Sequence, residues 1–222
     1  MSKQPALIQR AALWCILVAA LLFSPSVAAG EGILEGSVID VFRNGHFYDE
    51  STGSWNRVVS GMYLVPGHRL KTSEKGTLTL LMDGKHLVRL DPDTEIRIAD
   101  FTGIGGVEIL KEYDKSRIII EVVRGSVSCS ATARPSDHGF AVFSGMAVAV
   151  PSDDGAEFSF AVKETGTDSG EVKIVVREGS VVFMTVDGRG GSVGDPVVVG
   201  AEMSSVVSFT PRGDSKTEAM IE

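Results

Sequence analysis

The chain has 222 residues and a mass of 23.5 kDa, with 43% hydrophobic residues, 23% charged residues and 25 glycines. That is too apolar for a disordered chain and too rich in glycine for a helical bundle, and the length is enough for one domain with a real core. A formal net charge of −8 leaves no footprint for tracking a phosphate backbone, so nucleic acid is not an expected partner.

The chain opens with Lys3 and Arg10, an uninterrupted apolar run from Ala11 to Phe23, a break at Ser24-Pro25-Ser26, and the small residues Val27-Ala28-Ala29-Gly30. This is the layout of a secretory signal peptide, with cleavage expected after Ala28 or Ala29. The apolar run falls short of the roughly 20 residues that span a bilayer. Trp14 precedes Cys15 where a lipoprotein needs small residues. Removing residues 1–29 leaves 29 acidic against 19 basic side chains, and Cys129 as the single cysteine. An internal disulfide is then excluded. Cys129 lies in the alternating run Ser126-Val127-Ser128-Cys129-Ser130 and reads as a small buried hydrophobe rather than a reactive thiol.

Period two dominates the chain beyond Gly30. Arg43 to Trp55, with Asn44, Gly45 and Gly53, reads as a long hairpin loop carrying His46, Phe47, Tyr48 and Trp55. Aromatic residues on a polar excursion either fold back to cover the sheet or serve as candidate partner-binding anchors. Gly76 to Met82 alternates, Asp83-Gly84 is a favoured hairpin turn, and His86 to Leu90 alternates again. Further strands are expected over Thr94 to Ile98, Phe140 to Phe143, Ala147 to Val150, Glu157 to Val162, Glu171 to Val176, Ser180 to Thr185 and Met203 to Phe209. A second hairpin turn is expected at Asp187-Gly188, and Val107 to Tyr113 reads as strand or loop. This spacing belongs to an all-β protein, as an antiparallel sandwich or a solenoid. Val122-Val123-Arg124-Gly125-Ser126-Val127 is echoed by Val175-Val176-Arg177-Glu178-Gly179-Ser180-Val181, a weak internal repeat that favours stacked strand-turn-strand units.

Catalytic chemistry is not legible. Gly190-Gly191-Ser192-Val193-Gly194 has the spacing of a nucleophile elbow but no helical pattern after it. The four histidines, His46, His68, His86 and His138, are scattered, with no metal-ligand spacing. Asp91, Asp93 and Glu95 alternate, which predicts a charged strand edge that blocks edge-to-edge pairing. Gly103-Ile104-Gly105-Gly106 lacks the third spaced glycine of a dinucleotide loop. No catalytic, cofactor or metal residue is assigned, and no cofactor is expected.

One ordered series of segments resembles a known family. Leu64-Val65-Pro66-Gly67-His68-Arg69-Leu70-Lys71-Thr72 leads into Gly76 to Leu80, Asp83-Gly84, and Pro92-Asp93-Thr94-Glu95-Ile96-Arg97-Ile98. Val123 to Val127, Phe140 to Val150, Phe158-Ser159-Phe160 and Val176 to Val181 continue it. The order is similar to that of the FecR domain family, over residues 60 to 185. The chain departs from the family pattern at Gly155-Ala156-Glu157, where Gly-Thr is usual, and at His68, where an acidic residue is common. The resemblance implies a periplasmic β domain of the kind found in ferric-citrate-type regulators. Their sigma-binding cytoplasmic domain has no counterpart in the ten residues before the apolar run, so the transcription role is not expected here.

The expected organisation is a signal peptide over 1–29, an N-terminal strand and loop over 30–59, a FecR-like β domain over 60–185, and C-terminal strands with a polar tail over 186–222. The expected function is that of an exported, non-enzymatic binding or sensing module in the periplasm of a Gram-negative-type bacterium, contacting an envelope protein or cell-wall glycan. The alternative is a membrane-anchored accessory component of a cell-surface signalling system, with membrane contact only if the N-terminal segment stays uncleaved. Mass spectrometry of the chain from expressing cells should find an N-terminus at Ala29 or Gly30; an intact Met1 would establish the anchored form.

Overall fold

The computed structural model describes residues 36–99, 116–132, 139–166, 169–186, 195–209 and 216–221. The chain divides into units of residues 1–33 and 34–222, and every described residue belongs to the second. The regular elements there are strands. In chain order the first are β1 (Gly36–Phe42), β2 (Gly45–Asp49), β3 (Ser54–Arg57), β4 (Tyr63–Leu64) and β5 (Arg69–Thr72). β6 (Thr77–Met82), β7 (His86–Leu90), β8 (Glu95–Ala99), the long β9 (Ser116–Thr132) and β10 (Gly139–Ser144) follow. The long β11 (Ala147–Gly166) and β12 (Ser169–Thr185), then β13 (Val197–Gly200), β14 (Met203–Phe209) and β15 (Lys216–Ile221), complete the order. Pairing is antiparallel except between β9 and β10, which confirms the all-β, antiparallel expectation.

The sheet is folded over into two layers. The first runs β4-β1-β6-β7-β9-β11-β12-β14-β15, and the second β3-β2-β5-β8-β9-β10-β11-β12-β13. Strands β9, β11 and β12 belong to both, because each bends at a glycine of positive φ: Gly125 at 87°, Gly155 at 85° and Gly179 at 74°. The shorter units turn the same corner through loops, at Arg43, Asp93 and Glu202, also with positive φ. Aligned corners let each strand-corner-strand unit hydrogen-bond along its whole length to the next. The weak repeat in the sequence marks two of these bends, at Gly125 and Gly179.

Side chains fix the corners as well as backbone. The Thr94 hydroxyl donates to the Ser126 carbonyl and accepts from the Ser126 amide, both at 3.0 Å. Thr94 in turn donates its amide to the Thr72 hydroxyl at 2.9 Å, and Thr72 donates that hydroxyl to the Asp91 carbonyl at 2.6 Å. Both threonines are buried. A Cβ at Gly125 would sit 2.5 Å from Thr94 Oγ1, and one at Gly179 would collide with the Gly155 carbonyl oxygen. Positive φ and close approach together leave room for glycine alone.

Between the layers lies one core that includes Val38, Leu70, Leu80, Val88, Ile96, Val127, Phe158, Phe160, Ile174 and Phe183. Phe160 meets Phe183 edge-on at 6.4 Å, across the two layers. Cys129 is buried in this core, and burial pushes its thiol pKa upward, as expected of an inert cysteine. In the middle of the second layer the alternate residues are buried too: Ile119, Ala141, Phe143, Val148, Val150 and Met184 form a separate cluster. Two buried faces explain why Ile118 to Ile120 and Ala147 to Val150 read as continuous apolar runs.

Three sequence readings are corrected. Arg43 to Trp55 is not a loop: it supplies a corner and then the β2–β3 hairpin, whose tip includes Gly53 at φ 64°. The polar residues mislead because on a strand with one exposed face they occupy alternate positions. Glu171–Val176 and Ser180–Thr185 are halves of one bent strand, β12, as Ala147–Val150 and Glu157–Val162 are of β11. Asp91 and Asp93 lie in a corner, while Glu95 lies on β8, which is flanked by β5 and β9 and is no edge. The Asp83-Gly84 turn forms as expected, with positive φ at both residues and Lys85 donating its amide to the Met82 carbonyl. The readings at Val107 to Tyr113, Asp187-Gly188 and Gly190 to Gly194 lie outside the described residues.

Replacing Gly125 with alanine should cost about 3 kcal/mol in chemical denaturation, from backbone strain and overpacking. Gly145→Ala, where the new methyl meets nothing within 4 Å, should change stability by less than about 0.5 kcal/mol. Equal costs would remove the corner constraint. His86 carries a second expectation. It stacks on Phe140 at 5.0 Å, and neither ring nitrogen has a hydrogen-bond partner among the described residues. Burial first, then the Lys85 charge, pushes its pKa from 6.5 to about 4, with Asp83 opposing. The unfolded imidazole therefore takes up a proton before the folded one does, and stability should fall as pH drops from about 6.5 to 4. His86→Leu should flatten that part of a stability–pH curve; an unchanged slope would assign it to other groups.

Candidate functional site

The hairpin β2–β3 ends the second layer, and cross-strand register carries its side chains into two continuous rows on the outer face. One row reads Arg57, His46, Lys71, Glu95 and Arg124 across β3, β2, β5, β8 and β9. The other reads Trp55, Tyr48, Arg69, Arg97 and Glu121. Between them the row Asn56, Phe47, Leu70, Ile96 and Val122 takes the other face, with Leu70, Ile96 and Val122 in the core, Phe47 packed against it and Asn56 exposed at its end. Five strands at about 4.8 Å spacing make each row roughly 19 Å long.

Of the four residues singled out in the sequence, three share this face. His46, Tyr48 and Trp55 lie on it, whereas Phe47 points the other way and packs against the core. Tyr48 and Trp55 are directly opposite each other and meet edge to face, with centroids 5.3 Å apart and planes at 60°. The Arg69 guanidinium lies 5.3 Å from the Tyr48 ring and 5.6 Å from the Trp55 ring, and Lys71 Nζ lies 3.9 Å from the Trp55 ring. Arg69 and Arg97 are opposite each other, and each is held by a carboxylate: Arg69 by Glu95 and Arg97 by Glu121, both at 2.5 Å. Arg124 approaches the other oxygen of Glu95 at 3.7 Å. Arg57, exposed on β3, has no ion-pair partner among the described residues.

The face therefore presents five cationic side chains against two carboxylates, on a chain whose net charge is −8. Sequence reasoning missed the basic half. Arg69-Leu70-Lys71 and Glu95-Ile96-Arg97 alternate legibly, but which strand each faces depends on long-range register. Among the described residues no group of three or more His, Cys, Asp or Glu side chains could hold a metal ion.

Comparison with known proteins places the chain in a family. The FecR protein family matches residues 68–182, just over half of the chain, within the span expected from the sequence. The chain belongs to the FecR family. Two crystal structures of a protein from Parabacteroides distasonis ATCC 8503, described as a "putative anti-sigma factor", are similar at 14% identity and a TM-score of 0.49. Each match covers 69% of this chain and 59% of that one. No curated protein matches the chain.

A double-mutant cycle on Arg69 and Glu95 should give a coupling of about 1 kcal/mol that shrinks with added salt, since the arginine is partly solvated. Zero coupling in low salt would show that the pair does not organise the face.

Proposed function

We propose that this chain is an exported, non-catalytic FecR sensing module of the bacterial envelope. In this reading it binds an envelope partner through the outer face of β3, β2, β5, β8 and β9. Membership of the FecR family supports a sensing or regulatory role, and the basic-apolar-small order of the N-terminus supports export. The observation that carries the reading is the Tyr48–Trp55 pair, braced by Arg69 and Lys71. Aromatic rings fixed in orientation by neighbouring cations lose little conformational freedom when a partner arrives. Tyrosine, tryptophan and arginine are also the residue types that dominate binding energy at interfaces. A nucleophile with a base and an orienting group, the minimum for covalent or acid–base catalysis, is not assembled on this face.

In-cell photo-crosslinking from position 55 should capture an envelope component, and the same label at Glu178 should not. Trp55→Ala with the label moved to position 57 should reduce the yield at least about tenfold, the loss of one hot-spot side chain. Crosslinks to a cytoplasmic regulator would favour the anchored signalling component instead. No capture at either position would remove this face from the function.

A further inference from the structure

β3 is the terminal strand of the second layer and pairs with β2 alone among the described residues. It is four residues long, and Ser54, Asn56 and Arg57 are exposed. Among the described residues the backbone groups of its outer edge therefore have no strand partner, and they lie beside the cationic rows. Many edge strands are blunted by an inward-pointing charge, a proline or a bulge. Ser54-Trp55-Asn56-Arg57 has none of these three; its shortness and its outward charge, Arg57, in register with His46 and Lys71, disfavour indiscriminate pairing but leave the edge open to a short segment of opposite charge.

We propose that β3 is a docking edge for an extended acidic segment of a partner protein, which adds as a further strand with its carboxylates over the Arg57–Lys71 side of the sheet. The inference rests on the proposed binding face and names the chemistry of its partner. Backbone hydrogen bonds to β3 supply affinity, as in other recognition by strand addition. Alternate side chains of the added strand fall in line with the two rows, so acidic residues two apart face Arg57 and the Trp55 ring edge together. Charge complementarity selects the occupant: five cations against two carboxylates favour an anion. The edge favours a polypeptide over a glycan, because only a polypeptide continues the ladder. Arg69 already lies against both the Tyr48 and Trp55 rings and Lys71 against Trp55, which leaves less ring surface for a sugar to stack on.

The test uses the full chain carrying Trp14→Phe, in which Trp55 is the one indole. Its emission is titrated with a seven-residue peptide alternating glutamate with valine and threonine. Saturable change is expected, weakened at least about tenfold by N-methylation of alternate peptide residues and by the pair Arg57→Glu and Lys71→Glu. The N-methylated peptide leaves the protein unaltered, so its result is independent of any folding defect in the variant. Equal binding of the N-methylated peptide, or equal response to polygalacturonate, would overturn the strand-addition mode in favour of a purely electrostatic or glycan site. Concentration-dependent dimers abolished by Arg57→Glu would assign the edge to a second copy and overturn it likewise. No response to the acidic peptide, with crosslinking from position 55 intact, would overturn this inference and leave the binding face standing. Loss of both would remove both.

Discussion

The fold depends on three strands changing layer without breaking. β9, β11 and β12 each bend at a glycine of positive φ, and the column of corners they form is tied sideways by Thr72, Thr94 and Ser126. A sheet that turned without such corners would lose the hydrogen-bond ladder at the bend and leave buried amides unpaired. With them, one ladder runs continuously through two layers, and the core between them is closed by ring contacts such as Phe160 with Phe183. The corner column also sets register. Once Glu95 pairs with Arg124 next to Gly125, the positions of Lys71, His46 and Arg57 follow strand by strand.

Register is what separates the legible part of the molecule from the rest. The strands themselves can be read from alternation, and Asp83-Gly84 from turn chemistry, because both are local. Cys129 can be placed in the core for the same reason. The bend at Gly179 is visible only as a degenerate echo, since a bend and a turn use the same residue. Composition singles out His46, Tyr48 and Trp55, and brings Phe47 with them because a loop has no inside and outside. Knowing that the segment is a strand sends Phe47 inward. The basic partners Arg69, Lys71, Arg97 and Arg124 lie far along the chain from Trp55, and nothing local ties them to it. Asp91 and Asp93 show the converse error: alternating charges suggest an edge strand where the chain is turning a corner.

The two halves of the outer surface of the second layer differ in a way that bears on function. Toward β10, β11 and β12 it is apolar and buried; toward β3 it is aromatic, cationic and open at a strand edge. Cations held by Glu95 and Glu121 keep their positions without being neutralised as a group. Such a face is fixed and only partly neutralised before any partner arrives, which is what the proposed contact with an envelope partner asks of it.

Hydrogen–deuterium exchange of the full chain, alone and bound to its captured envelope partner, tests this account most directly. Protection gained at residues 45–49 and 54–57, with the corner amides unchanged, is the predicted result. Protection gained elsewhere, with 54–57 exchanging as freely as before, would contradict it.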